Sequence, residues 1–322
     1  MQTVLIAGGA GFIGSHLCQS LLSSNYRVVC IDNFLTGDEK NIKGFLSNPN
    51  FEFIKHDVTK MDSHIARRLS HVDYIFHLAS PASPNKNSPR SYINYPIETL
   101  LVNSAGTHNL LELARRFNSK FLFASSSEVY GNPSVSPQKE DYFGNVNPNG
   151  VRSVYDEAKR FGEAITFGYI RKHNLDARVV RIFNTYGPMM QAEDGRVVSN
   201  FINQAITDSS ITVYGNGTQT RSLCYVDDMI TGIILAMFSS GTKAEVFNLG
   251  NPDERTILSI AKLIESMVGS SSEIIFEDLP EDDPKVRKPD ISRAKRVLGW
   301  EPKVSLEEGL LKTIDYFKKE RL

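Results

Sequence analysis

A glycine-rich turn near the start of the chain constrains the fold more than any other feature of the sequence. The apolar run Thr3–Ala7 is typical of a buried strand, and Gly8, Gly11 and Gly14 follow it at three-residue spacing. Phe12–Leu22 then has the periodicity of an amphipathic helix. Backbone N–H groups in such a turn can approach a pyrophosphate, because no side chains intervene and the helix dipole favours negative charge. The pattern predicts a dinucleotide site; the alternative is that the glycines serve only a tight turn.

Asp32 indicates which dinucleotide the turn favours. It closes a second apolar run, Arg27–Ile31, and an acidic residue about 20 positions after the turn can bind the 2′-hydroxyl of an adenosine ribose. No Lys or Arg follows Asp32 until Lys40, and a carboxylate at this position repels a 2′-phosphate. The sequence therefore predicts NAD as the cofactor and not NADP.

The charge balance and the apolar runs exclude several classes of partner. The 322 residues include 36 basic and 37 acidic ones, so the net charge of −1 creates no bulk field for nucleic acid or an anionic membrane. No later apolar run reaches the roughly 20 residues that span a bilayer, and the run before the glycine turn is too short for a secretory leader. We predict no nucleic-acid partner and no membrane partner.

The cysteines and histidines favour a reducing compartment and argue against a metal site. Cys18, Cys30 and Cys224 are odd in number and unclustered, which fits the cytoplasm and not a disulfide framework or a zinc site. The seven histidines lack ligand spacing, and His77, at the end of an apolar run, is interpreted as a packed core residue. We predict a cytoplasmic protein without a bound metal.

Strand-like runs alternate with helical patterns in the first part of the chain, which predicts an α/β fold with a doubly wound parallel sheet, the Rossmann class. The runs are Val4–Ala7, Arg27–Ile31, Phe51–Lys55, Tyr74–Leu78, Lys120–Ala124 and Ala177–Ile182. After about residue 183, turn-rich loops replace the alternation, and a last helix is predicted from Leu306 to about Lys319. We predict an NAD-binding domain at 1–182, to which 222–250 returns, and a smaller interleaved substrate domain at 183–221 and 251–322. A cleft between the two is the expected ligand site.

A serine cluster and a tyrosine–lysine pair are the candidate catalytic residues. Ser126 lies at the end of the run that begins at Lys120, and Tyr155 and Lys159 are four residues apart, on one face of a helix. A Lys ammonium beside a phenol lowers a pKa that starts near ~10, and the phenolate can remove a hydroxyl proton as hydride leaves the same carbon. A serine hydroxyl at a strand end can hold that hydroxyl in place. Tyr and Lys at this spacing are also common on helix surfaces, so the pair gains weight from the glycine turn upstream.

With these motifs the chain resembles the extended short-chain dehydrogenase/reductases that act on nucleotide sugars, and within them the UDP-glucuronate decarboxylase branch. The resemblance covers essentially the whole length. The matching stretches are Asp32–Gly37, His77–Pro84, Ser126–Gly131, Gly144–Arg160, Arg181–Pro188, Asp194–Phe201, Thr212–Ser222 and Glu281–Lys295. The SPASP and NVNP sequences within them are the features that point to the decarboxylase branch.

The resemblance implies a role for each candidate catalytic residue. Tyr155 becomes the base for the sugar C4 hydroxyl, Lys159 its partner at the nicotinamide ribose, and Ser126 the hydroxyl-orienting residue. Glu128 lies where related 4,6-dehydratases carry the glutamate that takes the C5 proton. Ser127 replaces the aspartate that protonates a leaving hydroxyl in those enzymes, which argues against a standard dehydratase. The implied reaction is C4 oxidation by bound NAD, loss of CO₂, protonation at C5 and return of hydride, giving UDP-xylose.

The resemblance also assigns residues to the two ligands. The expected cofactor-binding residues besides Tyr155 and Lys159 are Gly8, Gly11, Phe12, Ile13, Asp32, Asn33, Asp57, Val58, Leu78, Ala79 and Asn103. The expected residues for the UDP-sugar are Ser80, Ser83, Ser127, Asn184, Val198, Asn200, Tyr214, Gln219, Arg221 and Arg287. An alternative for Arg287 is a surface ion pair with Asp282 or Asp290.

Two departures from the decarboxylase pattern leave other functions open. Where that branch usually has GPRM, this chain has Gly187–Met190 without a basic residue, and Asn85–Arg90 is inserted before the SYINYP stretch. Lys86 or Arg90 can replace the lost charge, or the substrate differs. The alternatives are a UDP-sugar 4-epimerase, a dehydratase of another hexose such as an N-acetylated one, and a non-catalytic dinucleotide-binding regulator.

Two long helical patterns bear on assembly. Glu98–Phe117 and Tyr155–Lys172 keep apolar or small residues on more than one face. The resemblance implies that they pack against the same helices of a second copy around a two-fold axis. We therefore predict a homodimer.

Overall fold

The strand-like runs of the first part of the chain lie side by side in one parallel sheet. A computed structural model describes residues 1–61, 65, 68–69, 71–279 and 286–321. Within these ranges the strands are β1 (Thr3–Ala7), β2 (Arg27–Asp32), β3 (Phe51–Lys55), β4 (Tyr74–His77), β5 (Lys120–Ser126), β6 (Ala177–Ile182), β7 (Thr185–Tyr186), β8 (Ile211–Tyr214), β9 (Thr220–Ser222), β10 (Cys224–Tyr225), β11 (Val246–Leu249), β12 (Glu254–Thr256) and β13 (Ile274–Glu277). The central seven-stranded sheet has the order β11-β6-β5-β4-β1-β2-β3, and its neighbours pair in parallel. The predicted fold class is confirmed.

Both faces of this sheet are buried, and β1 shows why. Val4 and Ile6 pack into one apolar cluster, while Leu5 and Ala7 pack into a second cluster on the other face. Successive side chains of a strand point to opposite faces, so an uninterrupted apolar run is buried on both. Helices therefore cover the sheet on each side.

Along the chain, helices alternate with many of these strands in the described ranges. They are α1 (Phe12–Ser23), α2 (Pro96–Leu101), α3 (Thr107–Phe117), α4 (Ser153–His173), α5 (Val197–Ile206), α6 (Val226–Phe238), α7 (Ile257–Val268), α8 (Ser292–Leu298) and α9 (Leu306–Lys319). The pattern predicted as one helix over Glu98–Phe117 is interrupted by a π-helical segment, Val102–Gly106, between α2 and α3. None of the helices in these ranges is long and apolar enough to cross a membrane.

The second half of the chain contributes both to the central sheet and to small sheets above it. β11 lies at the edge of the central sheet beside β6. β8 pairs with β13, and β9 pairs with β12. The proposed division into two domains stays a prediction, but these small sheets lie at the same side as the ends of β5 and β6, where they enclose a cleft.

Candidate active site

A cavity of about 910 Å³ opens at the carboxyl ends of the central strands. Its walls include Gly8 after β1, Leu78 after β4, Ser126 at the end of β5 and Phe183 after β6. Ligands of open α/β sheets bind in the crevice at this edge. The cavity is therefore the candidate site.

The glycine turn at one end of the cavity fits a dinucleotide. Gly8 has φ +84°, and a Cβ there would lie 2.6 Å from the backbone nitrogen of Ala79. A Cβ at Gly14 would lie 2.0 Å from the carbonyl oxygen of Gly8. Gly11 caps α1, a 12-residue helix, without a side chain over its N-terminus. The turn thus has the tight backbone and open helix end that accept a pyrophosphate, so the residues present fit NAD.

The loop around Asp32, the predicted ribose-binding residue, fixes the position of its carboxylate. Its carboxylate accepts hydrogen bonds from the N–H groups of Ala10, at 3.0 Å, and Phe34, at 2.8 Å. Burial raises the pKa of Asp32, while these hydrogen bonds oppose the rise. A Cβ at Gly37 would come within 2.8 Å of the same carboxylate, so the loop leaves little room around it.

The structure brings some of the expected cofactor residues to the cavity wall and places others behind it. Gly8, Gly11, Phe12, Ile13, Leu78, Tyr155 and Lys159 line the cavity. Asp32, Asn33, Asp57, Val58, Ala79 and Asn103 are not among its lining residues. Asp57 accepts a hydrogen bond from the N–H of Thr59, and Asn103, in the π-helical segment, donates to the hydroxyl of Ser80 at 2.9 Å. Roles for these residues in NAD binding stay predictions.

Tyr155 and Lys159 lie close together at the base of the cavity. The Lys159 ammonium is 5.6 Å from the centre of the Tyr155 ring and donates a 2.9 Å hydrogen bond to the carbonyl of Ala124. Burial raises the pKa of Tyr155 to about 12, although a hydrogen bond with Ser126 acts in the opposite direction. Burial also lowers the pKa of Lys159 to about 7. The pKa of Tyr155 is thus shifted in the direction opposite to the predicted one, because loss of hydration disfavours the charged forms of both side chains.

Glu128 joins two arginines that the chain brings from distant positions. Its carboxylate lies 2.6 Å from the guanidinium of Arg152 and 3.2 Å from that of Arg287. Burial alone raises the pKa of Glu128, but the two positive charges outweigh it and lower the pKa to about 2. Arg287 is 2 % exposed and also donates to the carbonyl of Ser127. Arg287 thus belongs to the site wall and not to a surface pair with Asp290; Asp282, the other suggested partner, lies outside the described residues.

Three residues of this site were not foreseen from the sequence. Arg152 is three positions before Tyr155, within the stretch Gly144–Arg160 that resembles the family. Its positive charge was the sequence signal that could have identified it as a site residue. Asp156 is buried beside Tyr155, and burial together with the charge of Glu128 raises its pKa to about 8. Tyr92 lines the cavity, and its buried hydroxyl makes no hydrogen bond to a described residue. Nothing in the local sequence pattern distinguishes Tyr92.

The expected UDP-sugar residues meet along the rest of the cavity. All of them are among its lining residues: Ser80, Ser83, Ser127, Asn184, Val198, Asn200, Tyr214, Gln219, Arg221 and Arg287. Residues of the insertion, including Asn85 and Arg90, also line it. His77 is 1 % exposed and lies in the core beside Phe123. The described residues contain no group of three or more His, Cys, Asp or Glu side chains placed to hold a metal ion.

Comparisons with known proteins agree with this geometry. Residues 4–250 match the NAD dependent epimerase/dehydratase family. The chain is 50% identical over 319 residues to UDP-glucuronic acid decarboxylase 1 of Xenopus tropicalis, covering 99% of this chain and 73% of that protein. It is 50% identical over 308 residues to UDP-glucuronic acid decarboxylase 3 of Arabidopsis thaliana, covering 95% of this chain and 86% of that protein.

A solved structure shows the same fold around a nucleotide sugar. UDP-glucuronic acid 4-epimerase from Bacillus cereus, in complex with UDP-glucuronic acid and NAD, superimposes with a TM-score of 0.87 at 31% identity. The match covers 99% of this chain and 100% of that chain. On the sequence match, the shared fold and the fit of the glycine turn to NAD, the chain belongs to the NAD-dependent epimerase/dehydratase family.

Proposed function

We propose that this protein is a UDP-glucuronate decarboxylase that forms UDP-xylose. The observation that carries the proposal is the pair of guanidinium groups of Arg152, which is partly buried, and Arg287, which is buried; both flank Glu128 on the cavity wall that Tyr155 also lines. Two guanidinium groups around one carboxylate leave an excess of positive charge on this part of the wall, which suits a further anionic group. The roughly 50% identity to named UDP-glucuronic acid decarboxylases over nearly the whole chain supports a hexuronate carboxylate as that group.

The first step oxidises C4 of the sugar. When bound, NAD supplies the acceptor for the C4 hydride and the source of its return. Tyr155 takes the proton of the C4 hydroxyl, and Ser126 at the end of β5 orients that hydroxyl. Because burial raises the pKa of Tyr155 to about 12, the phenolate depends on positive charge beside it. Lys159, 5.6 Å from the ring centre and with its pKa lowered to about 7, provides part of that charge in its protonated form.

The second step removes CO₂. A C4 ketone lies β to the C6 carboxylate, so the electrons of the C5–C6 bond move into a C4 enolate as CO₂ leaves. Arg152 and Arg287 hold the carboxylate, and a proton from solvent completes C5. Glu128, whose pKa is lowered to about 2, is ionised at neutral pH and is a poor proton donor. Its proposed role is to position the two arginines. Tyr155 then returns its proton to the C4 oxygen as hydride returns to C4.

The main competing activity is C4 epimerisation without loss of CO₂. The fold permits it, since a UDP-glucuronic acid 4-epimerase has the same architecture. The higher identity to the decarboxylases favours decarboxylation. The test is to incubate the purified protein with UDP-glucuronate and NAD and to measure CO₂ and the sugar product by mass spectrometry. A UDP-pentose with matching CO₂ supports the proposal; a UDP-hexuronate epimer without CO₂ overturns it.

We propose a homodimer formed through α2, α3 and α4. Large apolar side chains on this side of the molecule face solvent in the single chain: Ile97 is 61% exposed, Leu101 47% and Phe161 48%. Pairing of these helices with their copies across a two-fold axis would cover the apolar surface in an isologous interface. Light scattering at micromolar concentration tests this, and the mass of a single chain would contradict it.

We also propose that the protein works in the cytoplasm. Cys18, Cys30 and Cys224 are buried free thiols, and burial raises the pKa of Cys224. Free thiols without disulfides are typical of a reducing compartment. Fractionation of the source cells with an antibody against the protein tests the location, and recovery from a secreted fraction would contradict it.

A further inference from the structure

The inserted segment 85–90 forms a closed loop on the cavity wall. At its base, the N–H of Tyr92 and the hydroxyl of Ser91 both donate to the carbonyl of Ser83, at 3.1 and 2.9 Å. The Asn94 amide donates to the carbonyls of Lys86, at 3.0 Å, and Ser88, at 2.8 Å. The loop therefore has a fixed shape, and the side chain at its end, Arg90, has a defined direction.

Arg90 is directed to the glycine turn by a chain of two contacts. Its guanidinium lies 3.5 Å from the carboxylate of Asp38. The backbone N–H of Asp38 donates a 3.0 Å hydrogen bond to the carbonyl of Ala10, inside the turn. Arg90 and the residues Gly8, Gly11 and Phe12 line the same cavity. Asp38 thus connects the positive charge of Arg90 to the backbone of the glycine turn.

The guanidinium of Arg90 also has unused hydrogen-bonding capacity. Its Nη1 is buried and makes no hydrogen bond to any described residue. An arginine fork that is only partly used by a carboxylate can donate its remaining N–H groups to phosphate oxygens. Asp38 therefore fixes the side chain of Arg90 and leaves N–H donors of its guanidinium available.

Besides Arg90 and Lys86, which both belong to the inserted loop, the basic side chains on the cavity wall have partners away from the turn. Arg152 and Arg287 contact Glu128, Lys159 donates to Ala124, Arg196 pairs with Asp194, and Arg221 donates to the carbonyl of Thr220. Met189 occupies the position where the decarboxylase branch usually has a basic residue. Its thioether sulfur accepts a 3.3 Å hydrogen bond from the hydroxyl of Ser15, which follows the glycine turn. The charge lost at Met189 is thus available from Arg90.

We propose that Arg90 binds the diphosphate of NAD and that the inserted loop 85–90 strengthens retention of the cofactor. Asp38 positions Arg90, and the guanidinium donates to the phosphate oxygens that the glycine turn also holds. The inference rests on NAD as the cofactor and not on decarboxylation, so a failed decarboxylase assay would leave it standing.

The test measures binding of ADP-ribose, and separately adenosine, to the full-length enzyme after charcoal removal of bound nucleotide, by isothermal titration calorimetry. Arg90→Met should weaken ADP-ribose binding about tenfold or more, since a hydrogen bond to a charged group contributes on that scale, and should leave adenosine binding unchanged. Arg90→Lys should recover part of the affinity. The salt dependence of ADP-ribose binding should be smaller in Arg90→Met than in the wild-type protein.

Two further variants make the result specific. Arg27→Met removes a charge at the opposite end of the sheet, where Arg27 pairs with Glu52, and should leave ADP-ribose binding unchanged. Asp38→Asn should cause a smaller loss than Arg90→Met, because the arginine stays but is held less firmly. Unchanged ADP-ribose affinity in Arg90→Met would overturn the proposal, and so would a loss of UDP affinity with ADP-ribose affinity intact, since Arg90 would then serve the substrate.

Discussion

The ring of Tyr92 stacks on the ring of Tyr155, with the two centres 5.0 Å apart and the planes 11° from parallel. Both side chains are buried at the cavity wall. Tyr92 lies two residues after the inserted loop, so the segment that carries the insertion contacts the candidate catalytic tyrosine through this residue. The stacked ring restricts the positions that the Tyr155 hydroxyl can take.

Replacing Tyr92 should therefore affect catalysis through Tyr155. Tyr92→Leu removes the stacking, which contributes roughly 0.5–1.5 kcal/mol beyond the buried area, and should lower both the free energy of unfolding and kcat. Tyr92→Phe keeps the ring and should keep the stability. Denaturant titration and steady-state kinetics on both variants check this. A kcat in Tyr92→Leu equal to that of Tyr92→Phe would show that stacking does not position Tyr155.

Tyr155→Phe should abolish most turnover while leaving the fold intact. The substitution removes only the hydroxyl that is proposed to take the C4 proton, and general-base contributions run to roughly 10²–10⁴-fold. The expected result is a fall in CO₂ release of that size with little change in NAD affinity by calorimetry. A loss of activity below tenfold would indicate that another group removes the C4 proton.

The sequence predicted the parts of this protein that depend on local pattern. The buried strands follow from apolar runs such as Val4–Ala7, and Tyr155 and Lys159 share a helix face because of their spacing. Both features are set by residues a few positions apart. The same holds for the last helix, Leu306–Lys319, whose predicted bounds match the structure.

The features that were missed depend on contacts between distant parts of the chain. Glu128 meets Arg152 across 24 residues and Arg287 across 159 residues, and no periodicity encodes either pairing. The direction of the pKa shift of Tyr155 was missed for the same reason, since burial is a property of the folded chain and raises this pKa to about 12. Charge type and spacing predict candidates, but tertiary packing decides which of them interact.

Asp156→Asn should stabilise the protein increasingly as pH rises. Burial raises the pKa of Asp156 from 3.8 to about 8, so the folded state disfavours the ionised carboxyl. The wild-type protein therefore loses stability from this residue as pH rises through 3.8 towards about 8, and asparagine has no such loss. The difference in Tm between variant and wild type should be larger near pH 8 than near pH 4. A difference that does not change with pH would show that Asp156 titrates normally.

Glu128→Gln should separate stability, substrate binding and decarboxylation. The folded pKa of about 2 lies below the ordinary 4.5, so the stabilisation from Glu128 is fully present above pH 4.5 and is lost as pH falls towards 2. Removing the charge leaves Arg152 and Arg287 without their shared carboxylate, and breaking a buried pair costs about 3–5 kcal/mol. Acid and neutral denaturant titrations should show a large loss at neutral pH and a small one at low pH. Glu52→Gln is the matched control, because the half-buried Glu52 carboxylate also pairs with two arginines, the exposed Arg27 and Arg68, and it should change stability by less than about 1 kcal/mol.

The kinetic effect of Glu128→Gln follows from the same charges. Without Glu128, the two arginines hold the substrate carboxylate more strongly, but this favours the anion before reaction and not the departing neutral CO₂. Interactions that stabilise the ground state alone do not accelerate the chemical step. KM for UDP-glucuronate should therefore stay level or fall while kcat for CO₂ release decreases. If KM instead rises and kcat is unchanged, Glu128 contacts the substrate directly and does not act by positioning Arg152 and Arg287.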